Sequence, residues 1–430
     1  MPYDLTRQSP RRIAVIGAGI SGLGAAHALA ADHRVTLFEA GPRLGGHART
    51  VVAGKRGDQP VDTGFIVFNH ATYPNLVDLF HAIDVPTAES NMSFAASIGG
   101  GRIEYALNDL NGLFGQRRNA ADPRFLGMLR DILRFNAKAE ACTAADETMT
   151  IAGLIDALGL GGRFRDHYLL PFSGAIWSTP TEDILDFPAA AMVRFFRNHA
   201  LLGVTGQHQW YTVRGGSREY VRRIEAAIRA RGAEIRVSAP VASVTRGADG
   251  VRVRVEGGVA EDFDEVVIAT HTDQALAILS DACDRERAAL GAIRYQPNRA
   301  VLHADTSLMP LRRRCWASWN YTEVAGPKPE AISLTYWMNS LQPIPKDDPL
   351  FVTLNPTRDI RAEAIHDETW FAHPVYDTAA LAAQREIAGF NGARNTWFCG
   401  AWMKNGFHED GLASARDVVA AMAVRQDRVA

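Results

Sequence analysis

Gly17, Gly19 and Gly22, in the run Arg12-Ile-Ala-Val-Ile-Gly-Ala-Gly-Ile-Ser-Gly-Leu23, have the spacing of a turn that cradles a pyrophosphate. Gly17 permits the tight turn, Gly19 lets the backbone approach the phosphates, and Gly22 lets the following helix pack on the preceding strand. Ile20 and Ser21 open that helix, whose free N–H groups and positive dipole end favour an anion. Glu39 follows about 20 residues on, where an acid accepts ribose hydroxyls, and an acid there argues against a 2′-phosphate and so against NADP. A second group of reactive side chains, His408-Glu409-Asp410, lies near the C-terminus. An imidazole titrating near neutrality beside carboxylates suits proton transfer.

The elements that must position these residues are legible around them. Ile13 to Ile16 is a short apolar run of the kind a fully buried parallel strand needs. Ala25, Ala26, Ala28, Leu29 and Ala30 form a small-residue helix that can lie close to a sheet, and Val35 to Phe38 is a second strand ending in Glu39. Strand, glycine turn, helix, strand and acid together predict a dinucleotide site. At 430 residues, 47% hydrophobic and 22% charged, the chain has the make-up of an ordinary enzyme of two or three domains. A net charge of −2 gives no reason to expect nucleic acid. Four scattered cysteines, no apolar run at the start and no run long enough to span a bilayer predict a cytoplasmic protein, in peripheral contact with the inner face of the membrane at most. His366 and His373 are isolated, so no metal site is expected.

The residues after Glu39 carry a resemblance. Ala40 leads to Arg43-Leu-Gly-Gly46, with Gly45 and Gly46 adjacent, and then to His47-Ala-Arg-Thr50. Here the chain resembles the flavin amine oxidase and phytoene desaturase superfamily, where an acid followed by a double-glycine run marks FAD binding. Asp62-Thr-Gly-Phe65 resembles the family's next segment, which implies contacts from Thr63, Gly64 and Phe65. Arg214-Gly-Gly-Ser217 resembles its Gly-Gly helix start, and Ile235 to Val244 its adenine strand, with Val241 at the contact. Glu265 to Thr270 resembles the closing strand, which implies Ala269 and Thr270. Trp397-Phe-Cys-Gly-Ala-Trp402 and Gly406-Phe-His-Glu-Asp-Gly411 resemble the segment beside the ribityl chain and ring, which implies Gly400, Ala401, Asp410, Gly411 and Leu412. Many relatives have Asp or Glu where this chain has Ala401.

The resemblance implies an α/β fold: a Rossmann-like FAD domain of the glutathione reductase type, from residues 10–70, 214–275 and 392–428. A discontinuous α+β substrate domain would take residues 71–213 and 276–391. No second G-x-G-x-x-G follows a strand, so a separate NAD(P)H domain is not expected, and oxygen or an electron carrier would reoxidise the flavin. Ile98-Gly-Gly-Gly101 reads as a hairpin turn.

Ala175-Ile-Trp-Ser178, Phe187-Pro-Ala189, Asn198-His199 and Gln209-Trp210 are similar to marks of a bacterial subgroup of predicted NAD/FAD-binding proteins. Some of its members desaturate methyl-branched acyl chains on the way to furan fatty acids. The resemblance implies an FAD-dependent oxidoreductase that passes a hydride from a substrate C–H to flavin N5, desaturating a fatty-acyl or phospholipid substrate. His408, with Glu409, would remove the second proton; a purely structural His408 is the alternative. Trp177, His199, Trp210 and Phe407 are candidate pocket residues, weighed against core. Asp410 would bond the flavin or cap the final helix. His47 could lie near the ring, with FAD held without a covalent bond. Three other functions stay open: an amine oxidase releasing peroxide, an FAD-dependent double-bond isomerase, and a non-catalytic flavoprotein partner. Residues 124–140 predict an amphipathic helix, with Phe125, Met128, Leu129, Ile132 and Leu133 on one face and Arg130, Arg134 and Lys138 on the other. The basic face would be solvated or would meet anionic lipid.

Overall fold

In the computed structural model, residues 9–146, 148–177, 184–203, 206–326 and 333–429 are described. Five parallel strands form one sheet in the order Glu234–Arg236, Arg34–Phe38, Arg12–Ile16, Glu265–Ile268, Thr396–Phe398. Ile13, Ala14 and Val15 are wholly buried, as are Val266, Val267 and Ile268, because helices and a small sheet cover both faces. The helix Ile20–Leu29 packs on one face and meets the final helix, His408–Val429. That contact is close: a Cβ on Gly24 would lie 2.4 Å from Leu412 Cδ1. The sheet therefore draws its strands from three separated stretches of sequence.

A second, seven-stranded sheet runs in the order Ile365–Pro374, Tyr295–His303, Phe351–Leu354, Leu334–Trp337, Trp319–Thr322, Phe94–Ile98, Ile103–Ala106. Its pairs are antiparallel except Trp319–Thr322 with Phe94–Ile98. Gly99, Gly100 and Gly101 all take positive φ in the turn that closes the last hairpin. Helices between Pro123 and Asn198 cover one end through an aromatic-rich core that includes Phe125, Phe135, Phe164 and Phe196.

Four of the five apolar residues expected on the inner face of the helix Pro123–Ala145 pack on the core: Phe125 and Met128 are buried, and Leu129 and Ile132 are half-buried against them. Leu133 is 55% exposed, and Asp131, Phe135 and Ala139 are buried in its stead. On that inner side Asp131 accepts from Gly161 N at 2.9 Å. The basic stripe is also partly engaged, with Arg134 donating to the carbonyls of Leu158 and Gly159 and Arg130 paired with Asp131.

Candidate active site

The glycine turn is built for a ligand on one side only. Gly17, at φ +96°, donates its N–H to Phe38 O, and an added Cβ would meet Ala269 O at 2.9 Å. A Cβ on Gly22 would fall 1.8 Å from Gly17 O, so turn and helix touch. Gly19 is different: an added Cβ meets nothing within 4 Å, so its open side faces the space at the helix N-terminus. The double glycine folds back over that space. Gly45 N donates to Ala18 O at 2.8 Å, and a Cβ on Gly46 would come 3.1 Å from Gly19 Cα. Ile20 and Ser21 open the helix, both buried. Glu39 accepts from Ala18 N and Gly41 N, each at 2.8 Å, and Ala40 beside it is exposed. The backbone through Ser238 and Ala239 bonds Gly41 O and Glu39 O, which brings Val241 to this end.

Several residues expected at the cofactor bond to one another. Arg43 places its guanidinium on the carbonyls of Leu44, Gly46 and Ala48, which pins the double-glycine loop. Leu412 is buried against Gly24, and a Cβ on Gly411 would meet Ser21 Oγ at 2.8 Å, so both join the two helices. Gly400 N donates to Ser414 Oγ, while Ala401 O accepts from Tyr376 Oη. Ala269 N bonds Ile16 O, and Thr270 O accepts from Trp402 Nε1. Asp410 accepts from Phe407 N at 2.9 Å, which makes it a cap on the final helix, and burial raises its carboxyl to about 6.

His47 is stacked on Phe371 with ring centroids 5.0 Å apart, and His373 and His271 lie at 5.6 and 6.0 Å. Burial pushes His47 down to about 3, so the imidazole is neutral. Its Nε2 is buried with no hydrogen-bond partner among the described residues. Such an orphan, directly after the double glycine that folds over the open glycine turn, fits a polar planar ligand along this wall. The chain turns back here: His47 O accepts from Phe65 N at 2.9 Å, Thr63 N donates to Arg49 O, and a Cβ on Gly64 would sit 2.0 Å from His47 O.

Phe65 leads to His408. Its ring stacks on His408 at 3.9 Å with planes 9° apart. His408 Nε2 lies 2.6 Å from Tyr220 Oη, and burial lowers the imidazole to about 3. Tyr220 is fully buried two residues into the helix Arg218–Ala230, and burial raises its phenol well above the ordinary value. That helix start is fixed by Asp62, which is 0% exposed. Asp62 accepts from Thr50 Oγ1, Ser217 N, Ser217 Oγ and Gln342 Nε2 at 2.6, 2.8, 2.7 and 2.9 Å.

Glu409 does not partner His408. Its two oxygens accept from Asn75 N, Asn75 Nδ2 and Leu76 N at 3.0, 2.5 and 2.9 Å, so it caps the helix Pro74–Ala82. The physical reason is helical geometry: at adjacent positions the two side chains diverge by about 100° and face different neighbours. Of the pocket candidates, His199 and Phe407 come together. Phe195 stacks on both, at 3.9 and 5.0 Å, next to the first turn of the final helix. Trp210 is separate, edge-on to Tyr73 at 6.2 Å and lining an open groove of about 520 Å³ with polar Glu89, Asn91, His208, Gln209 and Gln342. The side chain of Trp177, and Ser178, lie outside the described residues.

Tyr220 and Asp62 carry no sequence signal of their role. Tyr220 reads as one more apolar position of its helix, and its partner is 188 residues away.

Comparison with known proteins fits this geometry. The structure superposes on a cyclohexylamine oxidase from Brevibacterium oxydans IH-35A with a TM-score of 0.69, covering 97% of this chain and 100% of that one at 16% identity. A CLA-producing fatty acid isomerase from P. acnes gives 0.67, with 97% and 99% covered, also at 16% identity. Among curated sequences, an L-amino-acid oxidase of Bothrops jararacussu is 47% identical over 53 residues, 12% of this chain and 11% of that protein. One from Vipera ammodytes ammodytes is 50% identical over 50 residues, 11% and 10% respectively. Residues 20–304, well over half of the chain, match the family described as flavin containing amine oxidoreductase. The chain belongs to that family, and it is an oxidoreductase whose cofactor is FAD.

Proposed function

We propose that this protein is an FAD-dependent desaturase of an apolar, methyl-branched fatty-acyl or phospholipid substrate. The observation that carries the reading is the company of His408. Phe65 covers its ring, and Phe407, the next residue back, continues through Phe195 and His199 into the aromatic core. The two acids beside it, Glu409 and Asp410, accept from backbone N–H groups. An ammonium substrate would gain from a free carboxylate, which neither acid offers, whereas an acyl chain needs only apolar wall.

Desaturation removes a hydride and a proton from neighbouring carbons and leaves a double bond. FAD supplies the two-electron acceptor, and oxygen or an electron carrier takes the electrons onward. The residues that hold FAD in this reading are Gly17, Gly19 and Gly22 at the phosphates, Glu39 at the ribose, and Gly45, Gly46 and His47 along the flavin. His408 takes the proton. With Nε2–H donated to Tyr220 Oη, Nδ1 remains as an acceptor, and a carbon made electron-deficient by loss of hydride is acidic enough for a weak neutral base.

Anaerobic mixing with a lipid extract and separately with a panel of amines tests this. Bleaching of the flavin absorbance by lipid, with a new double bond in the acyl chains, is the expected result. Bleaching by amines alone would make the protein an amine oxidase.

A further inference from the structure

Three chain segments meet at the end of the seven-stranded sheet. They are the hairpin Ile98 to Ile103, the stretch from Leu110 through Arg117–Ala121, and the loop that leads into Arg313–Cys315. Glu104 fastens them. Its carboxylate is fully buried and accepts from Ser97 Oγ, Leu311 N and Arg312 Nη1 at 2.8, 2.7 and 2.7 Å. Gln116 Oε1 accepts from Glu104 N, Asn119 Nδ2 donates to Glu104 O, and Arg118 donates to Arg102 O. A surface tied at so many points is rigid.

Two leucines stand on it bare to solvent. Leu110 is 74% exposed and Leu311 is 72% exposed. Arg102, Arg117, Arg118, Arg313 and Arg314 are exposed on the same segments. None of the five has a carboxylate partner among the described residues. Arg117 donates to Phe114 O and Asn111 Oδ1, and Arg313 lies over the Trp316 ring at 3.8 Å. The neighbouring acids are engaged: Glu104 with Arg312, Asp109 with Gly112 N, Asp122 with Arg163, and Glu323 with Tyr321 Oη.

We propose that this face docks the protein on an anionic lipid bilayer, with Leu110 and Leu311 entering the headgroup boundary and the arginines pairing with lipid phosphates. The charge is complementary to such a surface, and each bare leucine gains by leaving water. An acidic protein would need an apolar pocket matched to each of the two leucines, whereas a bilayer takes both wherever they stand. Among the described residues no helix is long and apolar enough to cross a membrane, so contact has to be made by a surface. The inference is independent of the substrate, because binding is read without turnover.

The test is sedimentation of the FAD-loaded protein with vesicles of phosphatidylcholine, with or without phosphatidylglycerol. Binding to the anionic vesicles only, weakening as salt rises, is expected. Arg102→Gln, Arg117→Gln and Arg118→Gln should each weaken it about fivefold, and the Leu110→Ser/Leu311→Ser double variant about tenfold. Val259→Ser, at a site 86% exposed in another sheet's turn, leaves it unchanged. The flavin spectrum and melting temperature confirm that each variant is folded. No binding to anionic vesicles at low salt, or undiminished binding by either the arginine or the leucine variants, overturns the proposal. So does capture of acidic polypeptides without vesicle binding.

Discussion

The phenol of Tyr220 and the imidazole of His408 meet at 2.6 Å although 188 residues separate them in sequence. Each stands at a helix start, and each start is held by other bonds: Asp62 grips Ser217, and Asp410 caps the final helix. The pair is thereby placed by bonds on both sides. If His408 takes the substrate proton, His408→Ala lowers the rate of anaerobic flavin reduction by about a hundredfold or more. Tyr220→Phe keeps the ring packing and removes the hydrogen bond, so its effect is smaller, about tenfold. Stopped-flow reduction by the lipid substrate measures both. A His408→Ala protein that is reduced at the native rate would falsify the catalytic assignment.

The buried imidazoles set an acid limit on stability. Burial lowers His47 to about 3 and His373 to about 4, so the fold favours the neutral form of both. In the unfolded chain each titrates near 6.5, and below that pH the unfolded state binds more protons than the native state. Their contribution is therefore fully present above pH 6.5 and is lost as pH falls from there towards 4. The slope is about 1.4 kcal/mol per pH unit for each histidine. Urea unfolding across this range should show that decline, and His47→Leu should make it shallower by one histidine's share. An equal slope in the variant would mean that His47 is protonated, or already titrating normally, in the fold.

How far the site could be read from sequence depended on the range of the interactions. The glycine turn is local: strand, turn, helix and acid lie within Arg12 to Glu39, and each glycine has a steric reason visible in its spacing. The first two strands of the parallel sheet also followed from short apolar runs, and the other three only from the family resemblance. Glu409 is next to His408 in sequence but bonds Asn75 and Leu76, because side chains at adjacent positions in the first turn of a helix diverge. The inner face of the helix Pro123–Ala145 was legible as far as Phe125, Met128, Leu129 and Ile132, whereas the burial of Asp131 depends on Gly161 N, 30 residues on. Tyr220, Asp62 and the grouping of His47, His271 and His373 depend on contacts across hundreds of residues, which no periodicity records.

Glu409 offers a separation of stability from chemistry. Its carboxylate satisfies two backbone donors at the start of Pro74–Ala82, where a negative charge also meets the positive end of the helix dipole. Glu409→Ala should cost about 1 to 2 kcal/mol in unfolding free energy. Flavin reduction at a temperature where the variant is fully folded should remain within about twofold of native, since no acid–base step is lost. A drop as large as that of His408→Ala, with no loss of stability, would return Glu409 to a catalytic role.

Gly19 and Gly22 are three residues apart, and substitution to alanine should affect them in opposite ways. At Gly22 the added methyl would overlap Gly17 O at 1.8 Å, so the turn and the helix must part, and the apoprotein itself should lose stability by several kcal/mol. At Gly19 the methyl meets no protein atom within 4 Å, and the backbone there is extended at φ −72°, so the apoprotein should melt as the native one does. What the Gly19 methyl does occupy is the space that the pyrophosphate of FAD needs. Gly19→Ala should therefore weaken FAD binding about tenfold or more, a loss of at least about 1.4 kcal/mol, with the apoprotein melting temperature unchanged. FAD titration by flavin fluorescence, beside calorimetry of the apoprotein, separates the two cases. Unchanged FAD affinity in Gly19→Ala would place the phosphates elsewhere than at this helix N-terminus.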